Sequence, residues 1–331
     1  MSSIREVARL AGVSVATVSR TLKKPDVVSP KTRERVLAAV DKADYHPNRT
    51  AIQFRAQKTQ SLVVLVPTIA NTFYARVISG IQQAAQRFGY AVLLCHTQGD
   101  EQVEARYAAL VSARQADGVI QLRAHDPFPA TATSQRWPMV NACEVLDDPP
   151  CPSIRLDNRT AAREMTEHLI ALGHRHIAMI KGPRRSPLTR DRADGYRDAL
   201  ARAGITHNPS WIQPGDFTPQ SGYAGARALI ERTDRPTALF CESDEMAIGA
   251  LHYLKHAGLR VPHDISLAGF DDIEFARYCD PPLTTISQPA EAFGEAAVEM
   301  LIATIDGQEI DTSHRTMPHR LLIRASTGPV G

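Results

Sequence analysis

The sequence lacks what a membrane-bound, secreted or metal-binding chain would show. No apolar run in its 331 residues approaches the roughly 20 needed to cross a bilayer. The N-terminal MSSIREVARL carries Glu6 and no apolar stretch, so the expectation is no signal peptide, no membrane partner and a cytoplasmic location. Five cysteines, at 95, 143, 151, 241 and 279, are odd in number and form no C-x-x-C. Reduced thiols are expected, with neither a disulfide framework nor a metal site. Catalytic signatures are missing too. No G-x-S-x-G elbow, H-E-x-x-H, Walker loop or G-x-G-x-x-G follows a predicted strand, which argues against an enzyme. A sugar- or nucleoside-processing enzyme stands as the alternative of a different class.

What is present is unevenly charged. Residues 1–60 hold 12 Lys and Arg against 5 Asp and Glu, a net +7; the other 271 residues hold 26 against 31, a net −5. A small basic head on a mildly acidic body fits a polyanion-binding module joined to something else. The plainer reading is a solvated surface.

The head reads as three short helices. Ser3-Ile4-Arg5-Glu6 has the S-x-x-E form of a capping box. Ile4, Val7, Ala8 and Ala11 then recur at helical spacing, giving one apolar face. Gly12 ends that helix, and Ser14 caps a second from Val15 to about Leu22. The short gap with its glycine suits a helix-turn-helix. Ser29-Pro30 starts a third helix carrying Val36, Leu37 and Val40. Three such helices bury little surface, so Val18 and Leu22 belong to the core and Ala16, Ser19 and Arg20 to the outer face. Arg20 can donate two bonds to guanine O6 and N7. The hydroxyls of Ser14, Thr17 and Ser19 suit phosphates, which fix register without reading sequence. Spacing leaves the direction of Val15 open. The stretch HPNRTAIQFRAQKTQS, residues 46–61, has two readings. It is a polar tether, or it is a short helix capped by Asn48 that exposes Phe54 among Arg49 and Arg55, an apolar wedge flanked by cations for the minor groove.

These residues resemble the DNA-binding domain of the LacI/GalR family of bacterial repressors. The match lies in Ile4, Glu6-Val7-Ala8, Ala11-Gly12-Val13-Ser14, Ala16-Thr17-Val18-Ser19-Arg20, Val28-Ser29 and Tyr45-x-Pro47-Asn48. The resemblance implies that Val15, Ala16 and Arg20 face base edges. It also implies a hinge helix near 48–56 that folds on operator DNA in a dimer. Where the family commonly has a leucine wedge, this chain has Phe54.

In the remainder, short apolar runs alternate with helical stretches. The strands fall near 61–66, 91–95, 118–122, 138–142, 176–180, 237–241 and 265–270, and the helices near 74–88, 101–115, 191–203 and 244–257. Such alternation predicts parallel sheets and an α/β fold, with any ligand beyond the strand C-termini. Asn71, Phe73, Tyr74, Arg123, Asp126, Asn141, Glu144, Asp216, Phe217, Asp244, Asp271, Asp272 and Gln288 fall in that region, as does Arg192, read as the last loop residue before a helix. Aromatic faces together with carboxylates and a guanidinium suit a small polyhydroxylated or heterocyclic ligand. Taken singly, Phe73 or Phe217 reads as core and Asp244 as a helix cap.

The body also resembles the family's sensor domain, which is similar to periplasmic sugar-binding proteins. The motifs are GYAVLL (89–94), DGVI (117–120), Asp157-Asn158, LGHRHIAMIKGP (172–183), DGYRDAL (194–200), SDEMAIGAL (243–251), VPHDISLAGFDD (261–272) and PPLTTISQP (281–289). The resemblance implies a helix-turn-helix domain over 1–46, a hinge over 47–60, and an effector-binding and dimerisation domain over 61–331. That last domain would have two Rossmann-like lobes, about 61–157 with 290–319 and about 158–287 with 320–331, crossed near 155–160, 287–291 and 317–323. The pocket positions carried over are Phe73, Tyr74, Leu122, Arg192, Phe217 and Asp271, with Gln288 at a crossing. His174 and His176 read as structural. Within the family, the loop GPRRSPLTRDRADGY and the segment FARYCDPPLTTISQP look closest to the cytidine-type branch, which implies a nucleoside or related base. Sugars remain open, and Arg123, Arg184 and Arg185 would suit a sugar acid. No cofactor is implied beyond this effector. The implied protein is a transcriptional regulator, a repressor by resemblance, that binds a pseudo-palindromic double-stranded operator. LLIRAST (321–327) is followed by no leucine heptad, so a homodimer is expected rather than a tetramer.

Overall fold

The structure is a computed structural model and describes residues 3–45, 58–128, 137–308 and 314–331. The chain divides into two compact units, Met1–Thr59 and Gln60–Gly331.

In the first unit, α1 (Ile4–Ala11) begins where Ser3 Oγ accepts the Glu6 amide at 3.3 Å. The Glu6 carboxylate pairs with Arg9 at 3.7 Å rather than closing the expected capping box. Gly12 ends α1 at φ 62°, and a Cβ there would lie 2.9 Å from Arg35 Nη2. That guanidinium donates to the Ala11 carbonyl and so ties the turn to the third helix. Ser14 Oγ accepts the Thr17 amide at 3.1 Å and opens α2 (Val15–Lys23). Ser29 and Pro30 open α3 (Pro30–Lys42). Val7, Val18 and Val36 are fully enclosed, each contributing on the order of 2 kcal/mol. So small a core makes the caps matter. Of the apolar residues that α3 carries, Val36 is buried and Leu37 is exposed. The expected hinge positions Asn48, Arg49, Phe54 and Arg55 lie outside the described residues.

The second unit holds two lobes. Strands β1 (Ser61–Val66), β2 (Ala91–His96), β3 (Gly118–Gln121), β4 (Met139–Ala142), β5 (Ser153–Leu156) and β11 (His314–Met317) form one parallel sheet in the order β11-β5-β4-β3-β1-β2. Strands β6 (Ile177–Ile180), β7 (Ile212–Gln213), β8 (Ala238–Cys241) and β9 (Ser266–Ala268) form the other, in the order β7-β6-β8-β9. The central strands are buried end to end, as parallel strands covered by helices must be. A third pairing, β10 (Thr285–Ser287) antiparallel to β12 (Arg320–Leu322), lies where the chain passes between lobes. The chain crosses after β5, after β10 and after β11. Spacing did not mark β5, β7, β10, β11 or β12, all four residues or shorter. It also left unassigned the helices Asn158–Ala171, Pro219–Ile230 and Ala290–Ile305. Among the described residues no helix is long and apolar enough to cross a membrane.

Candidate functional site

A cavity lies between the strand ends of the two lobes. Asn71, Phe73, Tyr74 and Cys143 line it from the first lobe; Asn158, Leu188, Arg192, Phe217 and Asp271 line it from the second, and Gln288 sits at a crossing. Local structure explains these placements. Asn71 caps the helix Thr72–Arg87 through its Oδ1, which accepts the Tyr74 amide at 3.2 Å. The cap fixes Phe73 and Tyr74 on the first turn, their ring centroids 5.7 Å apart and edge to face.

Arg192 is the charged centre. Its Nε donates to Asn158 Oδ1 at 2.9 Å and its Nη1 to the Glu242 carbonyl. Nη2 stands 3.9 Å from Asp271 Oδ1, and the guanidinium carbon lies 3.6 Å from the centre of the Phe270 ring. Gln288 Nε2 donates to Asp271 Oδ1 at 2.6 Å. Asp271 and Asp272 have φ of 113° and 54°, backbone strain that concentrates at functional sites.

Burial sets the electrostatics. It pushes the Asp271 carboxyl up to about 7, against the pull of Arg192 and Gln288. It pushes Glu242 up to about 7 as well, against Arg192 and the Gly182 amide. Burial raises the Tyr74 phenol, with Glu144 adding to the effect, and lowers the Arg192 guanidinium, with Asp271 and Glu242 opposing. The buried Cys143 thiol is raised far above its ordinary value, which keeps it protonated and poorly nucleophilic. The cavity therefore offers a guanidinium, a carboxylate, three side-chain amides and aromatic faces, the equipment for forking onto hydroxyls or ring nitrogens.

Several expected residues stand elsewhere. Arg192 is not a loop residue; it lies in the second turn of the helix Pro187–Arg202. Leu122 is fully enclosed in the first lobe's core because its side chain follows the buried face of β3. Arg123 donates to Gly99 O at 2.7 Å and to Glu104 Oε1 at 2.8 Å, a buried carboxylate that draws it away from the cavity. Asp244 follows the true cap, Ser243. Its carboxylate accepts from the Ile273 amide at 2.9 Å and from Thr285 Oγ1 at 2.7 Å, so it braces the second lobe instead of lining the cavity. Glu144 is half-buried beside the cavity and acts electrostatically on Tyr74 and Arg192, yet it is not among the lining residues. His174 bridges Thr237, Ser266 and the Gly328 carbonyl, and His176 packs on Trp211 with centroids 5.0 Å apart.

Cys143, Asn158 and Leu188 are lining residues that sequence reasoning missed. Leu188 had a signal: Ser186-Pro187 repeats the Ser-Pro start of α3, and a helix begun there puts positions 188 and 192 on one face.

The two lobes also touch across the cleft. The Thr72 amide and hydroxyl donate to Glu245 Oε1 at 2.9 and 3.0 Å. Arg190 grips Asp147 with two bonds, of 2.9 and 2.7 Å. Arg76 Nη1 donates to the Asp272 carbonyl at 3.0 Å.

On the head, α2 turns Val15, Ala16 and Arg20 to solvent, with Ser19 half-buried. Val15 is 40% exposed, which decides the direction that spacing left open. Ser14 Oγ and Thr17 Oγ1 lie 2.9 Å apart and bond to each other, which leaves part of each hydroxyl's capacity for a phosphate.

Comparison with known proteins places this geometry. The sequence pattern of the bacterial regulatory proteins of the lacI family matches residues 3–48, and that of a periplasmic binding protein-like domain matches residues 166–327. The HTH-type transcriptional repressor CytR of Escherichia coli strain K12 is 39% identical over 328 residues, 98% of this chain and 96% of that protein. The HTH-type transcriptional repressor PurR of Photobacterium profundum is 35% identical over 329 residues, 98% of each. The crystal structure of the lac repressor dimer bound to operator and the anti-inducer ONPF aligns with TM-score 0.87 and 31% identity, covering 98% of this chain and 99% of that one.

Proposed function

The chain belongs to the LacI family of bacterial regulatory proteins, and from that premise we propose that a small molecule, nucleoside-like or sugar-like, binds its interlobe cavity and controls its affinity for operator DNA. The protein is a DNA-binding transcriptional regulator that acts as a dimer. The observation that carries the effector reading is the lining itself: residues from both lobes converge on one cavity, so an occupant touches both sides of the cleft. A ligand that binds two lobe arrangements unequally must shift their balance. The effect is reciprocal, because whatever lowers operator affinity is itself bound more weakly by the DNA complex.

Roles follow from position. Phe73, Tyr74 and Phe217 give the effector apolar faces. Arg192, Asp271, Asn71 and Gln288 give it hydrogen bonds. Val15, Ala16 and Arg20 approach base edges, and Ser14, Thr17 and Ser19 the phosphates. Asn48, Arg49, Phe54 and Arg55 form the hinge, with residues 1–46 as the DNA-binding domain and 61–331 as the sensor. The nucleoside reading draws on the resemblance of the loop GPRRSPLTRDRADGY and the segment FARYCDPPLTTISQP to the cytidine-type branch. A thermal-shift screen of nucleosides, bases and pentoses tests the effector reading, since a ligand of the native state alone raises the melting temperature. A shift that persists in Arg192→Ala would place the ligand outside this cavity.

A further inference from the structure

Around the cavity acid outnumbers base, although of the acids only Asp271 lines it. Asp271, Glu242 and Glu144 all act on the single guanidinium of Arg192. Arg76 and Arg123 also reach this region, but Glu291 holds the first at 2.8 and 2.7 Å and Glu104 holds the second at 2.8 Å. Lys181 acts on Glu242 less than Arg192 does, and Glu245 adds negative charge near Asp271.

Enclosed polar side chains also lie against Gly182. Glu242 Oε2 takes the Gly182 amide at 2.8 Å, and the hydroxyls of Thr189 and Ser186 are near enough to temper the Glu242 and Glu144 carboxyls. Gly182 joins this group to the cavity: a Cβ there would lie 2.1 Å from the tip of the Phe217 ring and 2.6 Å from Thr189 Oγ1.

We propose that this cleft is a charge filter: it admits donor-bearing effectors that are uncharged or protonatable, such as a free nucleoside, and rejects their phosphate esters and carboxylate counterparts, with Glu242 and Glu144 setting the discrimination. The inference rests on the effector reading above. An anion entering this cavity meets like charge in a water-poor setting, where such juxtaposition is strongly unfavourable. The arginines that would favour a sugar acid do not help it, because Arg184 and Arg185 are exposed and Arg123 is bound to Glu104.

The test is titration calorimetry on the full-length protein at pH 8 with matched probes: cytidine against cytidine 5′-monophosphate, ribose against ribose 5-phosphate, and glucose against glucuronate. In any pair whose neutral member binds, the anionic member should bind about tenfold or more weakly. Size alone could weaken a phosphate ester, so the deciding readout is the gap itself. Glu242→Gln, and separately the half-buried Glu144→Gln, should narrow that gap several-fold, with folding of each verified by thermal melting. Tighter binding of an anionic member, or a gap unchanged in both folded variants, overturns the filter and leaves the effector reading standing. Binding of no probe overturns the effector reading and the filter with it.

Discussion

Replacing Glu242 by glutamine should stabilise the unliganded protein above neutral pH and leave it unchanged near pH 5. The Glu242 side chain is fully buried, and its carboxyl is raised from an ordinary 4.5 to about 7. Between those two values the folded protein holds a proton that the unfolded chain has released. Stability therefore falls as pH rises through this window. It is fully present below 4.5, and above 7 the carboxylate is ionised in both states. A tenfold change in a carboxyl's proton affinity corresponds to about 1.4 kcal/mol, so the ionised carboxylate costs up to about 3 kcal/mol at pH 8. Glutamine keeps the shape of the protonated acid and its Gly182 contact without that cost. In a body of this size the gain corresponds to roughly 5–10 °C in melting temperature at pH 8, and to little at pH 5. Differential scanning calorimetry at both pH values measures it. A variant that melts lower than wild type at pH 8, or that shifts equally at both pH values, refutes the reasoning.

Three further outcomes are expected. Arg20→Ala should weaken operator binding by about 1–3 kcal/mol and relax the preference at one base pair, as read by selection from random DNA; unchanged preference there removes Arg20 from base reading. Phe54→Ala should weaken specific binding more than non-specific binding if Phe54 wedges into the minor groove, and equal losses in a salt-matched gel shift would make it part of a tether. Arg190→Ala removes the exposed two-bond clasp on Asp147. An exposed pair contributes about 0.2–1 kcal/mol, so effector affinity should change no more than about fivefold with the operator site unaltered; a larger change would show the clasp to be more than a surface pair.

Much of this was legible before the structure, and the physical reasons are particular. The head could be read because its signals are local: Ser3, Gly12, Ser14 and Ser29-Pro30 are caps and breakers, and each ends or starts a helix where spacing placed it. Val15 could not be placed from periodicity, since the first residue after a cap sits at the edge of any stripe. The sheets' apolar strands announced themselves, whereas β5 (SIRL), β10 (TIS) and β12 (RLL) hold only one or two apolar residues each and owe their pairing to distant partners. In the cleft, residue type pointed correctly to Phe73, Tyr74, Arg192, Phe217, Asp271 and Gln288 as neighbours. Arg123 and Asp244 misled because a carboxylate or guanidinium near a strand end is equally suited to bracing a lobe, and only the partners Glu104 and Thr285 decide it. Glu242 carried the same signal as Glu144, an acid directly after an apolar strand, here β8, but its full burial is a property of the folded protein.

The central claim is that one cavity controls one DNA affinity. Its most direct test is fluorescence anisotropy of the full-length protein on its selected operator, with and without a saturating ligand found by the thermal-shift screen. Operator affinity should change between the two conditions by a factor on the order of 5–150. It should not change in Arg192→Ala, whose operator binding without ligand should match wild type. Sequence-specific binding that stays the same while the ligand occupies the cavity would contradict the account.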